Sequence, residues 1–192
     1  MKKIIYIILP LFLGVFSSCS DFLDVQPIAT QTEQNFFTTP ANAVIAINAI
    51  YDVIDQAEGT GPDGQWINHN YEFMYGDVLA DDCEKGSEEK DLADYFQVLV
   101  EWRATPENKP NEAQWIKFYD GINRANTALK WLETSPLEAS LKERLKGEAY
   151  FLKGLFYFDL VRIFGGVPII DKPLSTSEFG TIKRASLHET FD

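Results

Sequence analysis

Two long amphipathic patterns over residues 112–164 constrain the fold most strongly. From about Glu112 to Glu133, apolar residues recur on one helical face: Trp115, Phe118, Tyr119, Ile122, Ala125, Leu129 and Leu132. From about Pro136 to Phe164, a second stripe consists of Leu141, Leu145, Ala149, Leu152, Phe156 and Ile163. Between them, "SPLE" (Ser135–Glu138) predicts an N-cap serine, a proline and a capping-box glutamate. The two patterns predict a pair of helices that pack as a hairpin.

Caps and shorter patterns predict three more helices before this pair. Thr39-Pro40 begins the first, and its apolar stripe is Ala43, Ile47, Ile50 and Ile54. This helix is expected to end before the glycine-rich loop Glu58–Gly64. Short helices are predicted at Tyr71–Leu79 and Leu92–Val100, in the least regular part of the chain.

The second long helix is apolar almost all round from Ala149 onward, so we expect that half to be buried by several neighbours. Gly165-Gly166 ends it. "SLHE" (Ser186–Glu189) is a further capping box that lies close to Asp192. We therefore expect the chain to be the N-terminal part of a longer protein.

The first residues have the pattern of an export signal. A positive head precedes an apolar run, Ile4–Phe16, which is shorter than the roughly 20 residues that a membrane-spanning helix needs. Two serines and Cys19 follow, and this cysteine resembles the lipid-modified residue of bacterial lipoproteins. We predict a signal peptide over 1–18, lipidation of Cys19, an extended tether over 19–38 and a helical domain over 39–192. The alternative is ordinary signal cleavage, with Cys19 an incidental thiol.

Charge and cysteine content exclude several classes of function. The formal charge is −12 and becomes −14 once residues 1–18, which contain two lysines and no acids, are removed. Such a surface disfavours nucleic acid and anionic lipid, so the lipid anchor must hold the protein on a membrane. Apart from Cys19 only Cys83 remains, so no internal disulfide is expected, and no Cys/His cluster has zinc spacing.

No catalytic, cofactor or metal motif is recognisable. His69 and His188 are isolated, and neither a nucleophile elbow nor a phosphate-binding loop occurs. The stretch Asp81–Gly86 departs from the calcium-loop pattern at its third and fifth positions, so it is interpreted as an acidic turn or cap, with hydroxyl or isolated metal binding as the alternative. Paired carboxylates for glycoside hydrolysis stay possible in any acidic chain. We predict a protein that is not an enzyme and binds no cofactor.

Three stretches together resemble the SusD/RagB family: "CSDFLDVQP", "WIKFYDGINRAN" (Trp115–Asn126) and "GEAYFLKGLFYFDLVRIFGGVPII" (Gly147–Ile170). The later "KRASLHETFD" is similar to the family's lead into its next helix. The resemblance implies an all-α fold of tetratricopeptide-like helical hairpins with irregular loops. It further implies a surface-exposed outer-membrane lipoprotein that binds glycans or other nutrients and delivers them to a SusC-like TonB-dependent barrel, without catalysis.

Sugars are bound in water by aromatic faces beside hydrogen-bonding side chains. Trp66 and Trp102 lie in the irregular region, where binding residues concentrate. We predict glycan contacts from "WINHNY" and "EWR", through Trp66, Asn68, Tyr71, Trp102 and Arg103. Partly buried packing is the alternative for each tryptophan. Trp115 is expected in the core, and Trp131 is ambiguous.

Polar residues on the apolar helices, namely Arg124, Asn126, Glu148 and Arg162, are expected to pair between helices. Two alternatives to nutrient binding stay open. One is a lipid-anchored scaffold whose helical hairpins bind only other envelope proteins. The weaker one is a lipid-anchored enzyme that degrades glycans.

Overall fold

The computed structural model describes residues 36–55, 58–60, 66–68, 72–80, 82, 86 and 94–192. The predicted signal peptide, Cys19, most of the tether, Tyr71 and Cys83 lie outside the described residues. Two residues at the end of the predicted tether, Phe36 and Phe37, pack against the helical core.

The described part of the chain is predominantly helical, as expected. Its elements are α1 (Pro40–Asp55), β1 (Glu58–Thr60), β2 (Trp66–Asn68), a π-helix (Glu72–Val78), α2 (Asp94–Val100), α3 (Lys109–Thr134), α4 (Ala139–Phe164) and α5 (Leu187–Phe191). The two short strands form an antiparallel ribbon in which Glu58 faces Asn68 and Thr60 faces Trp66. The sequence analysis did not predict this ribbon. Among the described helices, none is long and apolar enough to cross a membrane.

Helix α1 begins where its cap predicts. The Thr39 side chain accepts a hydrogen bond from the Asn42 amide (3.3 Å), and the Thr39 carbonyl accepts from the Ala43 amide (3.1 Å). The buried stripe ends with Val53, whereas Ile54, which the pattern included, is 47% exposed. The last turn lies beside a charged group, because the Ile54 carbonyl accepts a hydrogen bond from Lys117 Nζ (3.4 Å).

The predicted hairpin of α3 and α4 is confirmed and forms most of the core, together with α1. Its fully buried side chains include Ile122, Leu132, Leu145, Leu152, Phe156 and Leu160. Burying a side chain of this size contributes about 1.5–3 kcal/mol. Gly121 allows close approach of the two helices, because a Cβ atom there would lie 2.4 Å from Phe156 Cε2.

The start of α4 differs from the prediction. Its N-cap is Glu138, whose carboxylate accepts hydrogen bonds from the amides of Ser140 (3.0 Å) and Leu141 (3.2 Å). Ser135 instead ends α3, and its hydroxyl donates to the Phe37 carbonyl (3.1 Å). The helix begins later than predicted because Leu137 turns inward and is buried in the core.

The expectation that the second half of α4 is buried on all sides is wrong for three residues. Tyr150, Phe151 and Phe158 are 58%, 69% and 48% exposed. The predicted interhelical pairing of Glu148 is also wrong, since Glu148 pairs with Arg144 (3.2 Å) on α4 itself. Arg162 likewise forms an ion pair within α4, with Asp159 (3.5 Å). A helix of 26 residues offers acidic and basic partners one turn away, which are closer than any neighbouring helix.

The interhelical prediction holds for Arg124, whereas Asn126 bonds the non-helical segment after α4. Arg124 donates to the Ala49 carbonyl of α1 (2.7 Å), and Asn126 donates to the Ile170 carbonyl (2.8 Å). The Tyr119 hydroxyl donates to the Pro168 carbonyl (2.7 Å). Residues 165–170 are thereby fastened along one side of α3.

The chain leaves α4 at Gly165, as predicted, with φ of 71°. The Arg184 guanidinium then donates to the carbonyls of Phe164 and Gly166, and Pro168 forms a β-bridge with Arg184. The predicted capping box of Ser186 and Glu189 is present and begins α5.

Candidate functional site

The five predicted glycan contacts are divided between two regions. Trp66 and Asn68 are the first and last residues of β2, which packs against α3. Tyr71 lies outside the described residues. Trp102 and Arg103 follow directly after α2, in the connection to α3.

Trp102 has 72% of its surface in solvent, whereas Trp115 and Trp131 are half-buried. Trp102 is also the single non-glycine residue among the described residues with positive φ (56°). Its amide bonds the Leu99 carbonyl (3.1 Å), and the Arg103 amide bonds the Val98 carbonyl (2.8 Å). This is the Schellman arrangement that ends a helix, and its left-handed position is normally occupied by glycine. A large aromatic side chain is thus held in solvent at a position where glycine would be less strained.

The two neighbours of Trp102 are paired with each other. Arg103 Nε donates to a carboxylate oxygen of Glu101 (2.6 Å), and an Arg103 terminal nitrogen bonds the same oxygen. The other carboxylate oxygen accepts from the Gln97 amide (2.7 Å). The Gln97 and Arg103 bonds hold the pKa of Glu101 below its ordinary value. The exposed indole therefore lies beside a fixed set of hydrogen-bonding groups.

The connection that carries Trp102 is attached to the start of α3. Asn108 Oδ1 accepts from the Thr105 amide (2.5 Å) and the Thr105 hydroxyl (3.0 Å). Asn111 donates to the Thr105 carbonyl (2.8 Å) and accepts from the Tyr75 hydroxyl (2.5 Å). These bonds fix the connection against both α3 and the π-helix.

A cleft of about 770 Å³, here called the first cleft, adjoins this connection. Its lining residues are Tyr75, Leu79, Ala104, Thr105, Pro106, Asn111, Trp115, Arg162, Ile163, Phe164, Pro168 and Arg184. Trp102 and Arg103 do not line it, but the residues that follow them do. Trp115 is held by its neighbours, since its ring lies 5.0 Å edge-on from Phe164 and 4.7 Å from Tyr119.

A second cleft of about 610 Å³ lies on the other side of Trp115. It is lined by Trp115, Tyr119, Asp120, Ile122, Asn123, Pro168, Ile170, Leu174, Phe179 and Ile182. Trp115 and Pro168 line both clefts, which are therefore adjacent. Both volumes fall within the roughly 300–1,000 Å³ that is typical of ligand-binding pockets.

Burial shifts the pKa of two side chains of α3, Lys117 and Tyr119. Lys117 is 5% exposed, and burial lowers its pKa to about 8, although Asp159 and Asp55 act in the opposite direction. Burial also raises the pKa of Tyr119 well above its ordinary value. Within the described ranges, no group of three or more His, Cys, Asp or Glu residues is arranged to hold a metal ion.

The sequence analysis missed both clefts and assigned Trp115 to the core alone. In the structure Trp115 is half-buried and separates the two clefts. The exposed Phe179 was not considered either. Trp131, the ambiguous residue, is half-buried on α3 with Lys130 Nζ 4.7 Å from its ring. No periodic pattern covers residues 165–185, which contribute lining residues to both clefts. Asn123 and Asp120 of α3 line the second cleft, but polar residues such as Gln114 and Asn126 are buried on the same helix, so polarity alone did not locate it.

The chain matches a SusD-like family, described as "Starch-binding associating with outer membrane", over residues 21–192. It is 33% identical over 181 residues to SusD-like protein P38 of Formosa agariphila, covering 94% of this chain and 33% of the relative. SusD-like protein P2 of the same organism is 26% identical over 191 residues, covering 99% of this chain and 35% of that protein.

Solved structures agree with this fold. A laminarin-binding SusD-like protein superposes with a TM-score of 0.65 at 30% identity, covering 78% of this chain and 31% of its own. Surface glycan-binding protein A from Bacteroides uniformis has a TM-score of 0.65 at 23% identity, covering 79% and 32% respectively. The chain spans about one third of the length of the relatives that it matches.

Proposed function

The chain belongs to the SusD-like family, and from this membership we propose that the protein is an outer-membrane lipoprotein that binds glycans and delivers them to a SusC-like TonB-dependent transporter. The observation that carries the proposal is the family match over residues 21–192, together with the 30% identity to a laminarin-binding protein. The lipid anchor would be Cys19. Binding involves no bond making, so the protein is not an enzyme in this proposal.

Trp102 is the residue of the described connection best suited to stack on a sugar ring. A pyranose presents an apolar C–H face that an indole covers, while its hydroxyls need donors and acceptors. Arg103 and Glu101 supply both kinds of group, and their mutual pairing fixes them before a ligand arrives. A strained backbone at an exposed aromatic is a feature that concentrates at functional positions.

The direct test replaces Trp102 with glycine in the full-length protein. Glycine relieves the left-handed strain, so the variant should unfold at the same or a higher temperature than wild type. Without the ring, its Kd for laminarin or another bound glycan should rise by about tenfold, measured by isothermal titration calorimetry. The matched control is Phe151→Ala, which removes another exposed aromatic, on α4, and should bind as wild type does.

An unchanged Kd for Trp102→Gly would exclude Trp102 as a contact, whereas wild-type protein that binds no glycan in a broad panel would refute the function itself. Release of reducing sugar from a bound polysaccharide would show catalysis and contradict the proposal as well.

The transporter is tested separately by gentle detergent extraction of outer membranes, with capture of the tagged full-length protein. Co-purification of a TonB-dependent barrel that is lost in Cys19→Ala supports delivery from a lipid anchor. Recovery of other envelope proteins without a barrel would favour the scaffold alternative. Protease added to whole cells should remove the wild-type protein, because a nutrient-binding lipoprotein must be exposed at the surface.

A further inference from the structure

The second cleft is lined by three aromatic residues, one of which, Phe179, does not belong to the hydrophobic core. Phe179 lines this cleft and is 66% exposed, although phenylalanine is among the residues that are most often fully buried. Trp115 and Tyr119 also line the cleft, and both are half-buried. The cleft thus offers three aromatic rings, of which that of Phe179 is the most exposed to solvent.

Phe179 is presented by a locally fixed turn. One carboxylate oxygen of Glu178 accepts from the Ser175 amide (2.9 Å) and the Ser175 hydroxyl (2.7 Å), and the other accepts from Lys172 Nζ (2.6 Å). The Glu178 carbonyl accepts from the Thr181 hydroxyl (2.8 Å). Because these bonds form on both sides of Phe179, the backbone that carries the ring is fixed without a ligand, which reduces the entropic cost of binding.

Polar groups of α3 border the same cleft. Asn123 is exposed and lines this cleft, and its side-chain amide carries both a hydrogen-bond donor and an acceptor. Asp120 lies one turn earlier, and its carboxylate is held by Arg124 (2.7 Å). Aromatic walls with an amide and a carboxylate at the rim match the two faces of a sugar unit, an apolar C–H face and an edge of hydroxyls.

Trp115 and Pro168 join the second cleft to the first. Resting on the proposed glycan-binding function, we propose that the second cleft is an additional oligosaccharide subsite, so that the protein prefers glycan chains long enough to extend from the Trp102 connection through the adjoining first cleft into the second. Phe179 and Asn123 are the specificity-determining residues of this subsite. Phe179 stacks on a sugar ring, and Asn123 bonds its hydroxyls.

The experiment measures affinity against chain length for the full-length protein. A series of laminarin-derived oligosaccharides of increasing length is titrated into wild type, Phe179→Ala and Asn123→Ala. Both side chains are exposed, so both variants should fold, which their unfolding temperatures verify. Wild type should bind long chains at least tenfold more tightly than short ones. Each variant should lose most of that gain and keep the Kd of wild type for short chains within about twofold.

Phe151→Ala is the matched control, since it removes an exposed aromatic from a part of α4 that lines neither cleft. Identical length dependence in wild type and Phe179→Ala overturns the proposal. An equal loss at every length also overturns it, because the second cleft would then be the principal site and not an extension. If wild type binds none of a broad glycan panel, the proposed function fails and this inference fails with it. Length-independent binding by wild type refutes only the inference.

Discussion

Replacing Gly121 with alanine tests how closely α3 and α4 pack. The added Cβ atom would lie 2.4, 2.7 and 2.8 Å from Cε2, Cδ2 and Cζ of Phe156. Phe156 is 1% exposed, and its ring lies 6.1 Å from that of Phe118, so it has no free volume into which to move. Either the ring leaves its preferred rotamer or the helices separate.

The net effect is the difference between two opposing terms. Alanine in a helix interior is favoured over glycine by about 1 kcal/mol. Overpacking a well-packed core costs about 1–3 kcal/mol, and three contacts below the normal range place this site in the upper half. We expect the free energy of unfolding to fall by about 1–2 kcal/mol, which lowers the midpoint temperature by a few degrees in a domain of this size.

Urea and thermal unfolding followed by circular dichroism measure this change. Gly154→Ala is the matched control, because Gly154 is an exposed residue of α4 with no atom within 4 Å of the added Cβ, so it should stabilise by up to about 1 kcal/mol. Combining Gly121→Ala with Phe156→Leu should cost less than the sum of the two changes, since the smaller side chain makes room for the methyl group. If Gly121→Ala stabilised the protein as much as Gly154→Ala does, the close approach of the helices would be refuted.

Two further changes probe buried polar groups. Burial lowers the pKa of Lys117 from an ordinary 10.5 to about 8 in the folded protein. Between these two pH values the unfolded chain therefore binds more protons than the folded protein. The free energy of unfolding of wild type should then rise with pH relative to that of Lys117→Met. Urea unfolding at about pH 7.5 and about pH 9.5 measures this, and parallel pH dependence in the two proteins would contradict it. Ser135→Ala removes the donor to the buried Phe37 carbonyl and should reduce the free energy of unfolding by about 1–3 kcal/mol. An unchanged urea midpoint would show that this bond does not hold Phe37 in place.

The long helices could be predicted from the sequence because their information is local. Residues three and four apart share a face, so the stripes of α3 and α4 are visible in the sequence. Caps are equally local, and helices α1 and α5 begin where Thr39 and Ser186 predict. At the start of α4, Ser135 was the predicted N-cap and Glu138 its capping-box partner. In the structure Glu138 is itself the N-cap, and Leu137 before it is buried in the core, which no local pattern predicts.

The clefts could not be predicted because the bonds that build them use backbone carbonyls. Tyr119 bonds the carbonyl of Pro168, and Asn126 bonds that of Ile170. Any residue supplies a carbonyl, so these long-range contacts leave no pattern at residues 165–170. The ribbon of β1 and β2 was missed for a similar reason, since strands of three residues are too short for an alternating pattern.

Trp115 shows why a helical stripe alone does not separate a core residue from one that lines a cleft. Trp115, Tyr119 and Asn123 follow one another at intervals of one turn, on a face of α3 adjacent to the fully buried Phe118 and Ile122. Both faces carry apolar residues at helical spacing, so the sequence shows them as one wide apolar stripe and does not distinguish them. The difference lies in what covers each face. The face with Phe118 and Ile122 is packed against α1 and α4. The face with Trp115 and Tyr119 is covered by residues 165–185, which contact it at intervals and leave the two clefts, both lined by Trp115. A polar residue at the end of a row does not separate the two faces either. Asn123 follows Trp115 and Tyr119 and is exposed, but Asn126 follows Phe118 and Ile122 and is 2% exposed, because it donates to the Ile170 carbonyl. The covering segment, and not the row itself, therefore decides which face is core and which face lines a cleft.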